Sequence, residues 1–195
     1  MGLGDAHAPG ATPLDPDESR GLIPRHIRIQ AELDQWEQAN VLEGATWGLR
    51  SRERDFLSER FIRELHKRMF SNTWQWAGTF RTTGKNIGVD PAQIGVQLRD
   101  LLENARYWIE RGTFSVDEIA VRFHHRLVFI HPFPNGNGRH ARLMTDVLLK
   151  RNGVAAFSWG GANLETTSGA RDSYLAALRA ADGGDYTLLL KFVRS

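Results

Sequence analysis

Cysteine is missing from all 195 residues. With no thiol there is no disulfide framework, no thiolate metal site and no cysteine nucleophile, so whole enzyme classes drop out. Long apolar runs are missing as well: none approaches the roughly 20 residues needed to cross a bilayer. The opening MGLGDAHAPGATPLDPDE lacks the basic-then-apolar order of a secretory signal, so a cytoplasmic location with no membrane partner is expected. Charge of one sign is scarce. The 25 Lys and Arg against 23 Asp and Glu leave a net +2, and the cations alternate with acids, so no direct nucleic-acid partner is expected. Hydrophobic residues at 41% and charged residues at 25% give the balance of a soluble folded domain. The length suffices for one core without covalent staples.

Strand signals are few. Residues 1–20, rich in Gly, Pro, Ala and Asp, carry no periodicity and read as an irregular lead-in to a domain spanning 21–195. A helix is predicted over 28–50, where Ile29, Leu33, Trp36 and Asn40 share one stripe that Trp47 and Leu49 close. Ser58 opens a second helix carrying Phe61, Leu65 and Phe70. The segment 79–89 reads differently: two short β-prone runs flank Thr83-Gly84-Lys85, the pattern of a small hairpin. From Ala92 a helix keeps Ile94, Leu98, Leu101, Ala105 and Trp108 on one face and stops at Gly112. Ser115 and Glu118, in capping-box spacing, open the next, whose Ile119, Phe123, Leu127 and Ile130 lead directly to His131. Helices over 138–152, in SGARDSYLAALRAADGG and in DYTLLLKFVRS complete a mainly α chain with one hairpin.

The stretch 131–142, HPFPNGNGRHAR, carries the chemistry. Pro132 and Pro134 break the incoming helix, while Gly136 and Gly138 permit positive φ and close approach of the backbone. The helix that follows has about half a positive charge at its N-terminus and favours acids there, yet its first turn holds Arg139, His140 and Arg142. Each uncompensated cation costs about 0.3–1 kcal/mol at such a site, which points to an anion as the compensation. Converging N–H groups and two arginines form a phosphate cradle. His131, with an ordinary pKa of about 6.5, can take a proton from a weak nucleophile such as a protein hydroxyl. The lysine of a P-loop is absent, as are the third glycine and preceding strand of a dinucleotide fingerprint. His124, His125 and His140 read as core or supporting groups, because adjacent histidines face different sides of a helix and no carboxylate stands at ligand spacing.

HPFPNGNGRHAR resembles the Fic-domain signature H-x-F-x-[D/E]-G-N-G-R-x-x-R and departs from it at Asn135. WAGTFR from Trp76, then FHHRLVFIHPF and RDSYLAALRAADGGDY, follow in the order typical of Fic proteins. GLIPRHI and EQANVLE are similar to the subgroup called mobile mystery protein B, found beside a helix-turn-helix companion protein. The resemblance implies a Fic-domain helical bundle with a small β-hairpin flap. It implies transfer of AMP from ATP to a Ser, Thr or Tyr hydroxyl of a target protein. In that reading His131 is the general base, Asn137 and the N–H groups of Gly136 and Gly138 hold the α- and β-phosphates, Arg139 assists them, Arg142 binds the γ-phosphate, and Phe133 anchors the loop. Lys85, Asn86 and Ile87 in the flap would lie nearest an added target strand.

Two positions depart from the family pattern. The acid usually found at position 135 binds a Mg²⁺ that bridges the phosphates, and Asn135 offers only a neutral, weaker ligand. The alternatives that follow are phosphate transfer, as in the related death-on-curing proteins, or a weakened nucleotide-binding module. Many Fic proteins also carry an inhibitory helix, [S/T]-x-x-x-E-[G/N], whose glutamate pairs with the second signature arginine. ANVLEG matches the Glu-Gly half and has Ala39 where the hydroxyl residue would stand, which makes Glu43 the implied partner of Arg142.

Overall fold

The computed structural model describes residues 15–27, 30–161 and 168–195. Its order is α1 (Pro16–Ser19), α2 (Gln30–Arg50), α3 (Glu59–Phe70), a 3₁₀ turn at Pro91–Gln93, α4 (Ile94–Arg111), α5 (Val116–Ile130), α6 (Asn137–Arg151), a second 3₁₀ turn at Trp159–Gly161, α7 (Ser168–Asp182) and α8 (Thr187–Val193). Most of the lead-in, residues 1–14, lies outside the described residues, as does Ile29 of the α2 stripe. The part that is described departs from an irregular lead-in. Pro16 takes the first position of a helical turn, where its missing N–H costs nothing, and the Asp15 N–H donates to Glu18 Oε2 at 2.8 Å.

The caps expected from the sequence form. Ser58 Oγ accepts from the Phe61 N–H, Ser115 Oγ accepts from the Glu118 N–H, and Gly112 ends α4 with φ 58°. At the centre, α5 and α6 lie against each other. Phe123, Leu127 and Ile130 from α5 meet Met144, Val147 and Leu148 from α6, all nearly inaccessible to water. Each such side chain contributes about 1.5–3 kcal/mol on burial. Helix α4 packs on α5, the pair α7–α8 covers another side, and α2 crosses both α3 and α6.

Helix α2 is turned differently from the stripe read off the sequence. Trp36 is 42% exposed, whereas Leu33, Glu37 and Asn40 are buried, and the buried face continues through Gly44 and Gly48. A Cβ at Gly44 would sit 2.8 Å from the Met69 backbone nitrogen, and one at Gly48 would sit 2.8 Å from Leu65 Cδ1. The two glycines therefore let α2 close onto α3. Asn40 uses its buried amide to hold the end of that helix: Oδ1 accepts from the Asn72 N–H at 3.0 Å and Nδ2 donates to the Arg68 carbonyl at 3.2 Å.

The expected hairpin at 79–89 is not confirmed. No strand is assigned between Thr79 and Val89, and the single β-bridge among the described residues pairs Leu22 with Trp74. The arms of the loop pair with the signature region and not with each other: the Arg81 N–H donates to the Pro132 carbonyl at 2.9 Å, and the Val89 N–H to the Ile130 carbonyl at 3.4 Å. No helix among the described residues is long and apolar enough to cross a membrane.

Candidate active site

Helix α5 delivers His131 and then stops abruptly. His131 adopts φ 52° and ψ 60°, a left-handed conformation that costs a non-glycine residue about 1–2 kcal/mol, and this re-aims the chain into the loop. Arg81 offsets that cost. Its side chain is almost fully buried and donates to four carbonyls: Nε to His131 at 2.6 Å, Nη1 to Thr83 at 2.8 Å, and Nη2 to Val89 at 2.5 Å and Ile130 at 3.4 Å. Burial pulls its pKa below the usual guanidinium value, with Asp90 and Glu18 opposing. Sequence reasoning gave Arg81 no role. The only signal was a long cation inside an otherwise β-prone run.

Burial is also the main reason that the His131 pKa falls to about 4, with the charges of Arg81 and Lys85 adding to it and the Val128 carbonyl opposing. At neutral pH the imidazole is therefore unprotonated and able to accept a proton.

Beyond His131, the loop is held rigid from inside. Asn137 is buried, its Oδ1 accepting from the Phe133 N–H at 2.9 Å and its Nδ2 donating to the Phe133 carbonyl at 2.8 Å. Each end of the Asn137 amide thus makes one bond to the loop, and the second Nδ2 proton is not used by Phe133. Asn135 Oδ1 accepts from the Gly136 N–H at 2.6 Å, so that backbone donor is engaged as well. Gly136 caps α6 with φ 75°, and a Cβ there would come within 2.5 Å of the Phe70 ring. What remains for an anion is the first turn of α6, whose N–H groups have no carbonyl one turn back.

His66 was not singled out from the sequence, yet it is a keystone of this loop. Its Nδ1 accepts from the Gly78 N–H at 3.0 Å, so the ring proton sits on Nε2, which donates to the Asn135 carbonyl at 3.1 Å. The ring also stacks on Phe133 with centroids 3.7 Å apart, and Phe133 is fully buried as expected. Complete burial, with His140 and Arg139 nearby, drives the His66 pKa well below the ordinary value, while the Asn135 carbonyl opposes. From sequence it is only a histidine within an apolar stripe.

The two signature arginines diverge. Arg139 lies over the Phe70 ring and pairs with Glu37 of α2 at 2.6 Å. The other carboxylate oxygen of Glu37 accepts from Trp74 Nε1 at 2.6 Å. Arg142 leans the other way and hydrogen-bonds Tyr174 of α7, with Nη1 3.7 Å from where a Gly138 Cβ would stand. Glu43 does not join them. It is exposed and accepts from Asn72 Nδ2 at 3.2 Å, so the expected Glu43–Arg142 clamp is corrected. The turn of α2 brings Glu37, two helical turns earlier, to the N-terminal part of α6.

In the flap, Lys85 points away from the expected role. Its side chain is 3% exposed and pairs with Asp15 at 3.0 Å and Glu18 at 2.5 Å, while Thr83 Oγ1 donates to Asp15 Oδ2 at 2.6 Å. Asn86 and Ile87 remain exposed beside it. The residues do not fit a resident Mg²⁺. The loop carries no carboxylate, the Asn135 amide oxygen already holds the Gly136 N–H, and the described residues contain no group of three His, Cys, Asp or Glu that could hold a metal ion.

A histidine at the end of α5, a loop pinned by Phe133 and Asn137, and a helix start carrying two arginines thus lie together. The Fic/DOC family model matches residues 56–149. These residues form a Fic/DOC domain. Helices α3 to α5, the flap and all but the last two residues of α6 fall within the matched span, and α2 and α8 pack on it from outside, with α7 against α8. The chain is 33% identical over 185 residues to the protein adenylyltransferase fic-1 of Caenorhabditis elegans, covering 90% of this chain and 34% of that protein. A protein adenylyltransferase Fic of Aedes aegypti is 27% identical over 143 residues, covering 71% and 27%. The chain thus spans about a third of the length of these curated relatives. Among solved structures, the Bartonella tribocorum BepC protein with bound AMPPNP superposes with a TM-score of 0.71 at 18% identity, covering 92% of this chain and 97% of that one. Fic-1 of C. elegans, residues 134–508, superposes at 0.65 with 28% identity, covering 93% and 54%.

Proposed function

We propose that this Fic domain is a protein adenylyltransferase that moves AMP from ATP to a Ser, Thr or Tyr hydroxyl of a target protein. The observation that carries the reading is the buried His131 at the end of α5, held across a loop pinned by Phe133 and Asn137 from the helix start that bears Arg139 and Arg142. The relatives named as adenylyltransferases, and the nucleotide named in the BepC structure, support it. The His131 imidazole takes the target hydroxyl proton as that oxygen attacks the α-phosphorus. The bond from the α-phosphorus to the β-bridging oxygen breaks, and pyrophosphate leaves with the electron pair. The first-turn N–H groups of α6 and the two guanidinium groups stabilise the charge on the phosphates. Entry of the triphosphate requires Arg139 to leave Glu37. The exposed edge at Asn86 and Ile87 is the place for a target strand, the subgroup resemblance adds a helix-turn-helix companion as partner, and the setting in this reading is cytoplasmic.

ATP labelled in the α or γ position tests this directly. Only α-label is expected to enter protein, and γ-label in its place would establish phosphate transfer. His131→Ala is expected to erase transfer while calorimetry finds nucleotide affinity within about twofold, because a lost base leaves the anion cradle intact. Transfer at the parental rate in that variant would refute the mechanism.

A further inference from the structure

His66, fully buried on α3, joins the base of the flap to the signature loop. The Gly78 N–H can only donate, and it points at Nδ1 from 3.0 Å, so Nδ1 carries no proton. Burial keeps the ring neutral, which leaves its one proton on Nε2 for the Asn135 carbonyl, 3.1 Å away. The ring has little room to turn: it stacks on Phe133 at 3.7 Å and lies 4.7 Å from Phe70 and 5.6 Å from His140, centroid to centroid. Gly78 is held from its other side as well, its carbonyl accepting from Arg63 Nε at 2.9 Å. Two residues of α3 thus fix the turn from which the flap departs, and one of them reaches on to the loop.

The bond to Asn135 acts where the loop is least determined by its own sequence. The peptide unit 135–136 ends on Gly136, at φ 75°, and glycine accepts positive and negative φ alike, so local preference does not decide which way that unit faces. In a trans peptide the carbonyl and the N–H point to opposite sides. With the Asn135 carbonyl turned to His66, the Gly136 N–H faces away from that ring, where Asn135 Oδ1 meets it at 2.6 Å. A helix extended one residue back would instead spend the Asn135 carbonyl on the N–H four residues on. The helix begins one residue later, with the His140 N–H donating to the Gly136 carbonyl at 2.9 Å.

We infer that His66 is a positioning residue of the phosphate site: by holding the Asn135 carbonyl it fixes the peptide unit ahead of α6, and with it the first-turn N–H groups offered to the nucleotide. This rests on the proposed function, in which those groups take the phosphates. The two ring nitrogens can be tested apart. An Asn amide stands as many bonds from the backbone as Nδ1 does, and a Gln amide as many as Nε2. His66→Asn therefore keeps an acceptor for Gly78 and loses the bond to Asn135, while His66→Gln does the reverse. Both variants lose a buried hydrogen bond and ring packing, and both are expected to melt below the parent. Only His66→Asn is expected to weaken pyrophosphate and a non-hydrolysable ATP analogue, about tenfold, the size of one hydrogen bond, in calorimetry run below the lower melting temperature. His66→Gln is expected to stay within about twofold. Equal losses in the two variants, or parental affinity in His66→Asn, would overturn the positioning role. Nitrogen-15 spectra of the parent need no variant: a bare Nδ1 and a protonated Nε2 are expected on His66, and the opposite tautomer would also overturn it. If the parent binds neither probe, the nucleotide reading falls and takes the positioning role with it, whereas a binding parent with equal losses in the variants removes the positioning role alone.

Discussion

Replacing Glu37 by Gln tests whether the nucleotide and α2 compete for Arg139. The Glu37 side chain is 8% exposed and that of Arg139 is 20% exposed, so their 2.6 Å pair is screened little by solvent. A hydrogen bond between charged groups is worth about 1.5–3 kcal/mol, and the accessible edge of Arg139 argues for the lower end. A triphosphate must displace this carboxylate before it can use the guanidinium. Glu37→Gln removes the charge, while its amide oxygen still accepts from Trp74 Nε1, so the fold keeps its second contact. Affinity for a non-hydrolysable ATP analogue is expected to rise about tenfold, the equivalent of about 1.4 kcal/mol. Titration calorimetry measures this, with thermal melting beside it. Glu37→Ala would instead strand the Trp74 N–H and lower stability by about 1–3 kcal/mol, which makes it the poorer variant. Glu43→Gln is the control and is expected to change nothing, since its only partner is the exposed Asn72. Unchanged or weaker nucleotide binding in Glu37→Gln, with the melting temperature preserved, would refute the competition.

Asn135→Asp is expected to make analogue binding depend on Mg²⁺, because it adds a hard anionic ligand beside the phosphates and can still accept from the Gly136 N–H. Binding that ignores Mg²⁺ in this variant would place any cation elsewhere. Stability is expected to fall on acidification. The pKa values of His66, His124, His131 and His140 are all depressed, chiefly by burial, the last three to about 3, about 4 and about 4. Between those values and the unfolded value of about 6.5 the unfolded chain binds more protons, so stability is full above about 6.5 and declines by about 1.4 kcal/mol per histidine for each pH unit below it. Asp146, raised to about 6 by burial, works the other way and regains stability as the pH falls below that value. Denaturant midpoints at pH 5 and pH 7.5 decide it, and equal midpoints would contradict the histidine account.

Helix boundaries and the signature loop were legible because they rest on local rules: Ser58 and Ser115 cap through their own hydroxyls, and Gly112 and Gly136 take positive φ. The orientation of α2 was not. The apolar stripe caught Leu33 and Asn40 but missed Glu37, Gly44 and Gly48, which complete the buried face, and the apolar Trp36 faces outward. Nor could spacing show that the Asn137 amide would bond to Phe133, four residues before it, since that bond depends on how tightly the loop closes. The flap misled because β-propensity measures fitness for a pleated surface, and here the neighbouring surface is a loop.

Arg81 ties the His131 carbonyl, the Ile130 carbonyl and both arms of the flap to one guanidinium. The base and the edge that would receive a target therefore share a single mount and cannot shift independently. A substitution in either arm of the flap is therefore expected to be felt in the backbone of His131.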